Sequence, residues 1–256
     1  MIMIPNLFHF VFGLKEQAAP LHLVHALAIV SCAKVNKPAK IFFHYHHEPY
    51  GPYWEAVKPL VKLIKVTPPD NIFGIPIKHY AHQADIIRLN ALLEIGGVYA
   101  DMDTIFVNTL PPDLFQKPFV MGEQGEMGLC NAFMMSSRQS RFAKRWLDGH
   151  ASAFKGGKPG TPEWDNHSVF FPGQLAKTIP SDIHIEPQTS FFKHLFNTHG
   201  LNDLFEKTDT NLDNVYSLHL WENIAWEKHL SKLTPEIIKS IDTTYNCIAR
   251  RFLDEI

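Results

Sequence analysis

The sequence has few cysteines and almost no net charge. Its three cysteines, Cys32, Cys130 and Cys247, are odd in number and lack C-x-x-C spacing. It therefore predicts neither a disulfide framework nor a zinc knuckle, and reduced thiols indicate a cytoplasmic protein. A formal charge of −2 at pH 7 gives no electrostatic basis for nucleic-acid binding.

Signals for membrane insertion are also missing from the sequence. No stretch approaches the roughly 20 apolar residues that a membrane-spanning helix needs. The start MIMIPNLFHF has no basic region, and Pro5 comes before any long apolar run. We therefore expect a protein without a transmembrane segment or a secretory signal, located in the cytoplasm or peripheral to a membrane.

Helix and strand signals alternate through the first 155 residues, which predicts an α/β fold. At 256 residues, with 45% apolar and 20% charged residues, the composition suits one globular domain. Strands are predicted at 7–12, 39–45, 61–66, 98–100, 104–107, 119–122 and 132–135. Helices are predicted at 21–34, 53–60 and 140–154, irregular chain from Pro68 to Ile77, and a flexible loop at 156–162.

The segment 80–107 is the most informative part of the sequence. Ile86, Leu89 and Leu93 recur at helical spacing, which predicts an amphipathic helix. The pair Gly96-Gly97 supplies the left-handed conformation that ends such a helix. A short apolar strand should follow.

Asp101 and Asp103 come directly after this predicted strand. If the chain stays extended, residues i and i+2 point to the same side. Both carboxylates would then face one site at the end of the strand, where α/β folds bind ligands. Two such charges repel unless a cation lies between them, so a divalent cation carrying a phosphorylated substrate is the natural candidate.

Asp85 and Arg88 lie three residues apart on the predicted helix and share a face. One interpretation is a solvated ion pair, whose loss would cost roughly 0–1 kcal/mol of stability. The other is a binding pair, in which the carboxylate accepts from sugar hydroxyls and the guanidinium donates to hydroxyl or phosphate oxygens. On the second interpretation, losing Arg88 should impair activity and leave melting nearly unchanged.

Three other histidines have open interpretations. His44 and His46 share a strand face, so they form either a metal-chelating pair or a strand end at the surface. His167 either packs in the core or contacts a substrate.

The order of these elements resembles a known family. Asp85-Ile-Ile-Arg88 followed by Gly96-Gly-Val-Tyr-Ala-Asp-Met-Asp103 resembles the DXD-containing sugar-binding region of glycosyltransferase family 32. Relatives are the alpha-1,4-galactosyltransferases and the clostridial glucosylating toxins. Weaker similarities extend it: IPNLFHFVFG at 4–13, NAFMMS at 131–136 and HLWEN at 219–223. Phe12 stands where the family usually carries Trp, and the second Trp motif after His219 is incomplete unless Trp226 supplies it.

The resemblance implies a GT-A-type fold, with a mixed, mostly parallel sheet flanked by helices. Residues 1–256 would form one such domain, with a nucleotide-sugar-binding half at about 1–135 and an acceptor-side half at about 136–256. The implied function is metal-dependent transfer of a sugar from a nucleotide-diphosphate donor, expected to be a UDP-sugar, to a glycan or other hydroxyl acceptor. Anomeric configuration would be retained.

The resemblance also implies roles for individual residues. Asp103 and His219 would bind Mn²⁺ or Mg²⁺, with Asp101 bridging through ribose hydroxyls or metal-bound water. His219 could instead be a core histidine. The donor-binding and catalytic residues would be Asp85 and Arg88 around the donor sugar, Asn131 near its anomeric carbon and Phe12 against the nucleotide base.

Two alternatives compete with this interpretation. A haloacid-dehalogenase-like phosphatase also has an apolar strand followed by D-x-D-x-T, but here Thr104 directly follows Asp103. The other alternative is a non-catalytic protein that binds a sugar nucleotide.

Overall fold

The computed structural model describes residues 3–154, 157, 161 and 163–256. The strands are β1 (Leu7–Val11), β2 (Lys40–Tyr45), β3 (Lys62–Lys65), β4 (Asn71–Ile72), β5 (Ile75–Pro76), β6 (Gly97–Ala100), β7 (Thr104–Phe106), β8 (Phe119–Glu123), β9 (Leu129–Ser136), β10 (His184–Glu186) and β11 (Ser217–His219). The α-helices are α1 (Leu23–Asn36), α2 (Pro52–Val57), α3 (Tyr80–Glu94), α4 (Arg141–Ala153), α5 (Phe171–Thr178), α6 (Gln188–Phe192), α7 (Thr198–Phe205), α8 (Glu222–Ala225), α9 (Pro235–Ser240) and α10 (Thr244–Ala249).

The described residues form a seven-stranded sheet in the order β10-β8-β9-β6-β1-β2-β3. Strands β6, β1, β2 and β3 run parallel to one another, and β10 is parallel to β8. Only β9 runs against its neighbours, β6 and β8. The predicted mixed, mostly parallel sheet is therefore confirmed. A separate antiparallel pair, β7 and β11, brings residues 217–219 beside the end of β6.

Apolar side chains cover both faces of the sheet. Val98 and Ala100 of β6 belong to the core cluster that includes helix α1. Tyr99, between them, points to the opposite face and joins the cluster of α3 and α4. The alternation along β6 thus packs one helical layer on each side, as period-two side-chain geometry requires.

The Gly96-Gly97 pair ends helix α3 as predicted. Gly96 has φ +76° and Gly97 has φ +116°, conformations that side chains on L-residues disfavour. A Cβ atom at Gly97 would also lie 2.3 Å from the carbonyl oxygen of Leu7. Glycine is needed here because β6 starts directly against β1.

Some predicted elements differ in detail. The helix expected at 53–60 is α2 followed by a 3-10 turn (Lys58–Leu60), and the irregular chain before Ile77 contains the β4–β5 hairpin. The loop expected at 156–162 lies mostly outside the described residues. No helix in the described part of the chain has the length and apolar character to span a bilayer.

His9 and His44 form a buried pair between β1 and β2. His9 Nε2 lies 2.9 Å from the Gly96 carbonyl oxygen, so it donates, and His9 Nδ1 accepts from His44 Nε2 at 3.0 Å. His46 instead bonds the Val66 carbonyl at 2.9 Å. His44 is a core residue, and neither sequence interpretation described it.

Burial lowers the pKa of His9 to about 4 and, together with His9, that of His44 to about 3. Because of this pair, the free energy of unfolding decreases as the pH is lowered. The folded-state pKa values lie below the unfolded value of about 6.5, so stability is complete above pH 6.5 and is lost as pH falls towards 3. When the pH is lowered from 7.5 to 5.5, each histidine should decrease the free energy of unfolding by about 1.4 kcal/mol. Gln in place of His44 keeps a donor to His9 but cannot titrate. We predict that His44→Gln shrinks the loss between these pH values by about 1.4 kcal/mol in urea unfolding; an unchanged loss would contradict the assignment.

Candidate active site

The chain turns sharply where β6 ends. The N–H of Thr104 donates to the carbonyl of Asp101 at 3.1 Å, which closes a β-turn over Asp101–Thr104. The two aspartates do converge on one site, but the extended geometry from which this was predicted is wrong. The turn brings the two carboxylates together.

Asp101, Asp103 and His219 form a possible metal site. One ligand atom from each lies within 4.8 Å of the others, and no second group of three such ligands occurs in the described ranges. His219 Nε2 is 3.1 Å from Asp103 Oδ1 and 3.8 Å from Asp101 Oδ2. His219 comes from β11, which pairs with β7 directly after the turn.

Neighbouring groups orient both carboxylates towards His219. Asp101 Oδ1 accepts from the Tyr99 hydroxyl and lies 3.2 Å from Arg88 Nη2. Asp103 Oδ2 accepts from the backbone N–H of Glu222 at 2.8 Å. The other two carboxylate oxygens, Asp101 Oδ2 and Asp103 Oδ1, face His219 Nε2. Two carboxylate oxygens and one imidazole nitrogen that point at each other fit a divalent cation.

The backbone of residues 219–222 is shaped to hold Asp103. Trp221 has a left-handed φ of 56°, which is rare for a bulky residue. Such a backbone conformation persists only where the surrounding fold enforces it. With this bend, the N–H of Leu220 reaches the Asp103 carbonyl and the N–H of Glu222 reaches its carboxylate, both at 2.8 Å. The indole of Trp221 donates to the His194 carbonyl.

The pKa values reflect this crowding. Burial raises the pKa of Asp101, and the charge of Asp103 adds to it against the opposing effect of Arg88. Burial would also raise the pKa of Asp103, but His219 and the Glu222 N–H hold it at about 2. The pKa of His219 is raised because the two aspartates outweigh its burial. A proton on His219 thus occupies the position that a cation would take.

Arg88 is buried, with 5% of its surface exposed. Its Nη1 donates to the Asn131 carbonyl at 3.0 Å, its Nη2 lies between Asp101 and Asp85, and its guanidinium lies 4.5 Å over the Tyr99 ring. The solvated ion pair considered for Asp85 and Arg88 is therefore wrong. Burial opposes the charge of Arg88, yet Asp101, Tyr99 and Asp85 raise its pKa.

Both oxygens of Asp85 are occupied. Asn131 Nδ2 donates to Oδ1 at 2.7 Å, and His167 Nε2 donates to Oδ2 at 2.8 Å. His167 is fully buried on a one-turn π-helix (Asn166–Phe170), and its carbonyl accepts from the indole of Trp146. His167 is thus a packed residue whose polar atom orients Asp85. Burial would raise the pKa of Asp85, but Arg88 and His167 keep it well below its usual range.

All the sequence-predicted site residues line one cavity of about 690 Å³: Phe12, Asp85, Arg88, Asp101, Asp103, Asn131 and His219. Phe12 lies on its wall with its ring 4.9 Å from that of His25. His25 in turn bonds Glu222 at 3.1 Å and stacks on Trp226.

Sequence reasoning missed three contributors to this site. The apolar pattern predicts for Tyr99 only a place in the strand, although its position in the Gly-Gly-Val-Tyr-Ala-Asp motif is a usable signal of a site residue. Glu222 acts through its backbone N–H, which no residue type reveals. The bond from His167 to Asp85 joins residues 82 positions apart, and nothing local to either residue indicates it.

Known proteins place this chain in a class. Residues 28–120 match the model of the glycosyltransferase sugar-binding region containing a DXD motif. Glucan organizing enzyme 1 of Cryptococcus neoformans var. grubii is 34% identical over 269 aligned positions, covering 98% of this chain and 71% of that protein. The chain belongs to the family of glycosyltransferases with a DXD-containing sugar-binding region.

Solved structures share the architecture. The apo form of the glycosyltransferase GlyE of Streptococcus pneumoniae superposes with a TM-score of 0.54 and 12% identity, covering 98% of this chain and 64% of that chain. The PaToxG glycosyltransferase has a TM-score of 0.47 and 16% identity, covering 97% and 87%. Together with the order of the sheet, the likeness to GlyE shows the GT-A glycosyltransferase fold, as predicted.

The family assignment decides between the competing interpretations. The chain is a glycosyltransferase, so the haloacid-dehalogenase-like phosphatase and the non-catalytic binding protein are both excluded. Thr104, which comes one position too early for the phosphatase motif, closes the turn that holds the two aspartates.

Because Arg88 is buried, its removal should decrease the stability of the protein. Removing one partner of a buried ion pair typically costs about 3–5 kcal/mol, because the remaining charges stay desolvated. We predict a loss of this size for Arg88→Ala in urea unfolding, against the near-normal melting expected from the sequence. The control is Lys34→Ala, which breaks the exposed pair with Glu255 and should cost less than about 1 kcal/mol. Equal losses in the two variants would contradict the buried role.

The bond from His167 to Asp85 can be tested separately. His167→Leu leaves a buried carboxylate oxygen without its donor, which should cost about 1–3 kcal/mol. His167→Gln can place an amide N–H near the same oxygen and should recover part of this. In a double-mutant cycle with Asp85→Asn we expect a coupling of about 1 kcal/mol or more, measured by chemical unfolding. Additive losses would show that His167 only fills space.

Proposed function

We propose that this glycosyltransferase is metal-dependent, uses a UDP-sugar donor and retains the anomeric configuration. The observation that carries the proposal is the convergence of Asp101 Oδ2, Asp103 Oδ1 and His219 Nε2 at the end of β6. The DXD motif of the family implies a nucleotide-sugar donor and a divalent metal.

Mn²⁺ is our preferred ion, with Mg²⁺ second. Carboxylate oxygens suit both ions, whereas Mg²⁺ is usually bound by oxygen ligands alone, and His219 adds a nitrogen. A divalent cation at this position would neutralise the charge that develops on the diphosphate leaving group. Asp103, whose pKa is about 2, is charged at every physiological pH and would be the most direct ligand. Asp101 would contact ribose hydroxyls or metal-bound water.

The other residues would position the donor. Phe12 would pack against the base, and Asp85, Arg88 and Asn131 would surround the sugar. Arg88 contributes through the protein, because its nitrogens already contact Ala84, Asn131, Asp85 and Asp101. We infer that it fixes Asp85 and Asp101 at the distances at which they meet the donor.

Retention is proposed on the resemblance to the family, and Asp85 bears only on the route by which it is reached. A covalent glycosyl intermediate would need a carboxylate nucleophile next to the anomeric carbon, and both oxygens of Asp85 are already held by hydrogen bonds. We therefore favour front-face displacement, in which the leaving diphosphate accepts the acceptor's proton. The acceptor would be a hydroxyl of a glycan or another molecule.

We also retain the proposed division of one domain into a donor half at about 1–135 and an acceptor half at about 136–256. We also propose a location in the cytoplasm or at its membrane surface. Cys32, Cys130 and Cys247 are all free, which is the usual state of cysteines in a reducing compartment.

The metal assignment predicts the behaviour of Asp103→Asn. This change keeps the size of the side chain and an oxygen that can accept from Glu222, but removes the ligand charge. Losing charge stabilisation of a leaving group costs on the order of 3 kcal/mol, so we expect at least about a hundredfold slower transfer. Turnover of UDP-sugars and GDP-mannose with Mn²⁺, Mg²⁺ or EDTA measures this effect.

Metal affinity should be measured alongside turnover, by electron paramagnetic resonance of Mn²⁺. Asp113→Asn, at an exposed aspartate, is the matched control and should bind Mn²⁺ as the wild type does. Full turnover in EDTA would overturn the metal assignment, and turnover of GDP-mannose alone would overturn the UDP donor.

A further inference from the structure

One wall of the cavity carries polar groups that the donor site leaves unused. Trp164, Asp165 and Ser168 lie at the π-helical turn that holds His167, and His82 lies one helical turn before Asp85 on α3. All four line the 690 Å³ cavity with the DXD carboxylates. They therefore border the space next to the donor sugar.

Among the residues that the structure describes, each of these four side chains has polar atoms that make no hydrogen bond. His82 is 3% exposed, and its Nε2 is buried and unpartnered. In the described part of the chain, the Ser168 hydroxyl, which is 8% exposed, the Asp165 carboxylate and the Trp164 indole N–H make no hydrogen bond. Buried polar groups are normally satisfied, and among the described residues of this wall His82 Nε2 is the one atom that lacks both a protein partner and contact with solvent. The side chains of Trp164 and Asp165 are half-buried, so they can reach a ligand in the cavity.

The Trp164 ring is held in place. It packs 4.3 Å from the ring of His82 and 4.8 Å from that of His79, and it is only partly buried. An apolar ring beside groups that can donate and accept hydrogen bonds is typical of pockets for small polar ligands. A pyranose matches this arrangement, because it has an apolar C–H face and hydroxyls around its edge.

Charge limits the kind of acceptor further. Asp85 and Asp165 are carboxylates at this end, and the charge of Arg88 is compensated by Asp85 and Asp101. Lys15 is a second cation of the cavity, and its ammonium lies 4.2 Å over the Tyr80 ring. Asp165 lies next to Trp164 and has no ion-pair partner in the described part of the chain, so an anion placed on Trp164 would be repelled by this carboxylate and a neutral acceptor would not.

We propose that Trp164, Asp165, Ser168 and His82 form the acceptor subsite and that the acceptor is a neutral saccharide. The proposal rests on the proposed function. In the transfer, the saccharide hydroxyl oxygen bonds to the anomeric carbon of the donor, and the bond from that carbon to the diphosphate oxygen breaks. The hydroxyl proton goes to the diphosphate. Trp164 would pack on the saccharide ring while Asp165 and Ser168 bind its other hydroxyls.

Saccharide binding can be measured without turnover, by saturation-transfer-difference NMR in the presence of UDP and Mg²⁺. The probes are neutral oligosaccharides of glucose, mannose or galactose, an acidic oligosaccharide and a threonine-containing peptide. We expect a neutral oligosaccharide to bind the wild type. Trp164→Ala should weaken this binding at least about tenfold, since an aromatic contact and its buried area contribute about 1.4 kcal/mol. Trp164→Phe, which keeps an aromatic face, should weaken it less.

The control is Phe73→Ala, at an exposed residue of the β4–β5 turn outside the cavity, which should bind the oligosaccharide normally. Three results would overturn the proposal: no neutral oligosaccharide binds, Trp164→Ala binds as tightly as the wild type, or the peptide binds instead of the saccharides. In enzyme assays, Trp164→Ala should lower the ratio of transfer to donor hydrolysis at least about tenfold. An unchanged ratio would also overturn it.

Failure of the proposed function would look different. In that case turnover would be complete in EDTA or would occur with GDP-mannose alone, while saccharide binding would still depend on Trp164. This result would support the saccharide subsite and overturn the proposed UDP-sugar chemistry.

Discussion

The buried guanidinium of Arg88 is the constraint on which the site depends. A charge taken out of water is tolerated only where opposite charges and hydrogen-bond acceptors surround it. Arg88 therefore requires the carboxylates of Asp85 and Asp101 and the carbonyl of Asn131 in fixed positions. These groups come from α3, the turn after β6, and β9. One side chain thus aligns the helix, the DXD turn and the neighbouring strand.

Simple geometry explains why the family motif has its spacing. From Arg88 the helix climbs eight residues to Gly96, roughly 12 Å at the α-helical rise. After the reversal, strand β6 takes four residues from Gly97 to Asp101, roughly 13 Å at the rise of a strand. Arg88 and Asp101 therefore lie at the same height. An insertion between them would separate the charges, so the two glycines do more than end a helix.

Patterns of neighbouring residues were enough to predict much of the fold around the site. The helix, the glycine pair and strand β6 follow from apolar periodicity and backbone preference, and the motif correctly brought Asp85, Arg88, Asp101 and Asp103 to one cavity. Burial of Arg88 could not be predicted, because exposure depends on Asn131 and Tyr99 in other elements. The turn at Asp101–Thr104 is fixed by the pairing of β7 with β11, a contact between distant segments. The acceptor-side wall depends on a π-helical turn, which has no periodic signature.

The anchoring of Asp103 by residues 220 and 222 has a consequence for the order in which the protein is built. A ribosome makes the D-x-D segment long before it makes His219, the third proposed ligand, or the N–H groups that orient Asp103. Until about residue 222 has emerged, the two aspartates have no backbone to organise them. The nascent chain thus carries both aspartates for a long time before the candidate cation site can be organised. This site is assembled only when two segments far apart in the sequence are both available to fold against each other.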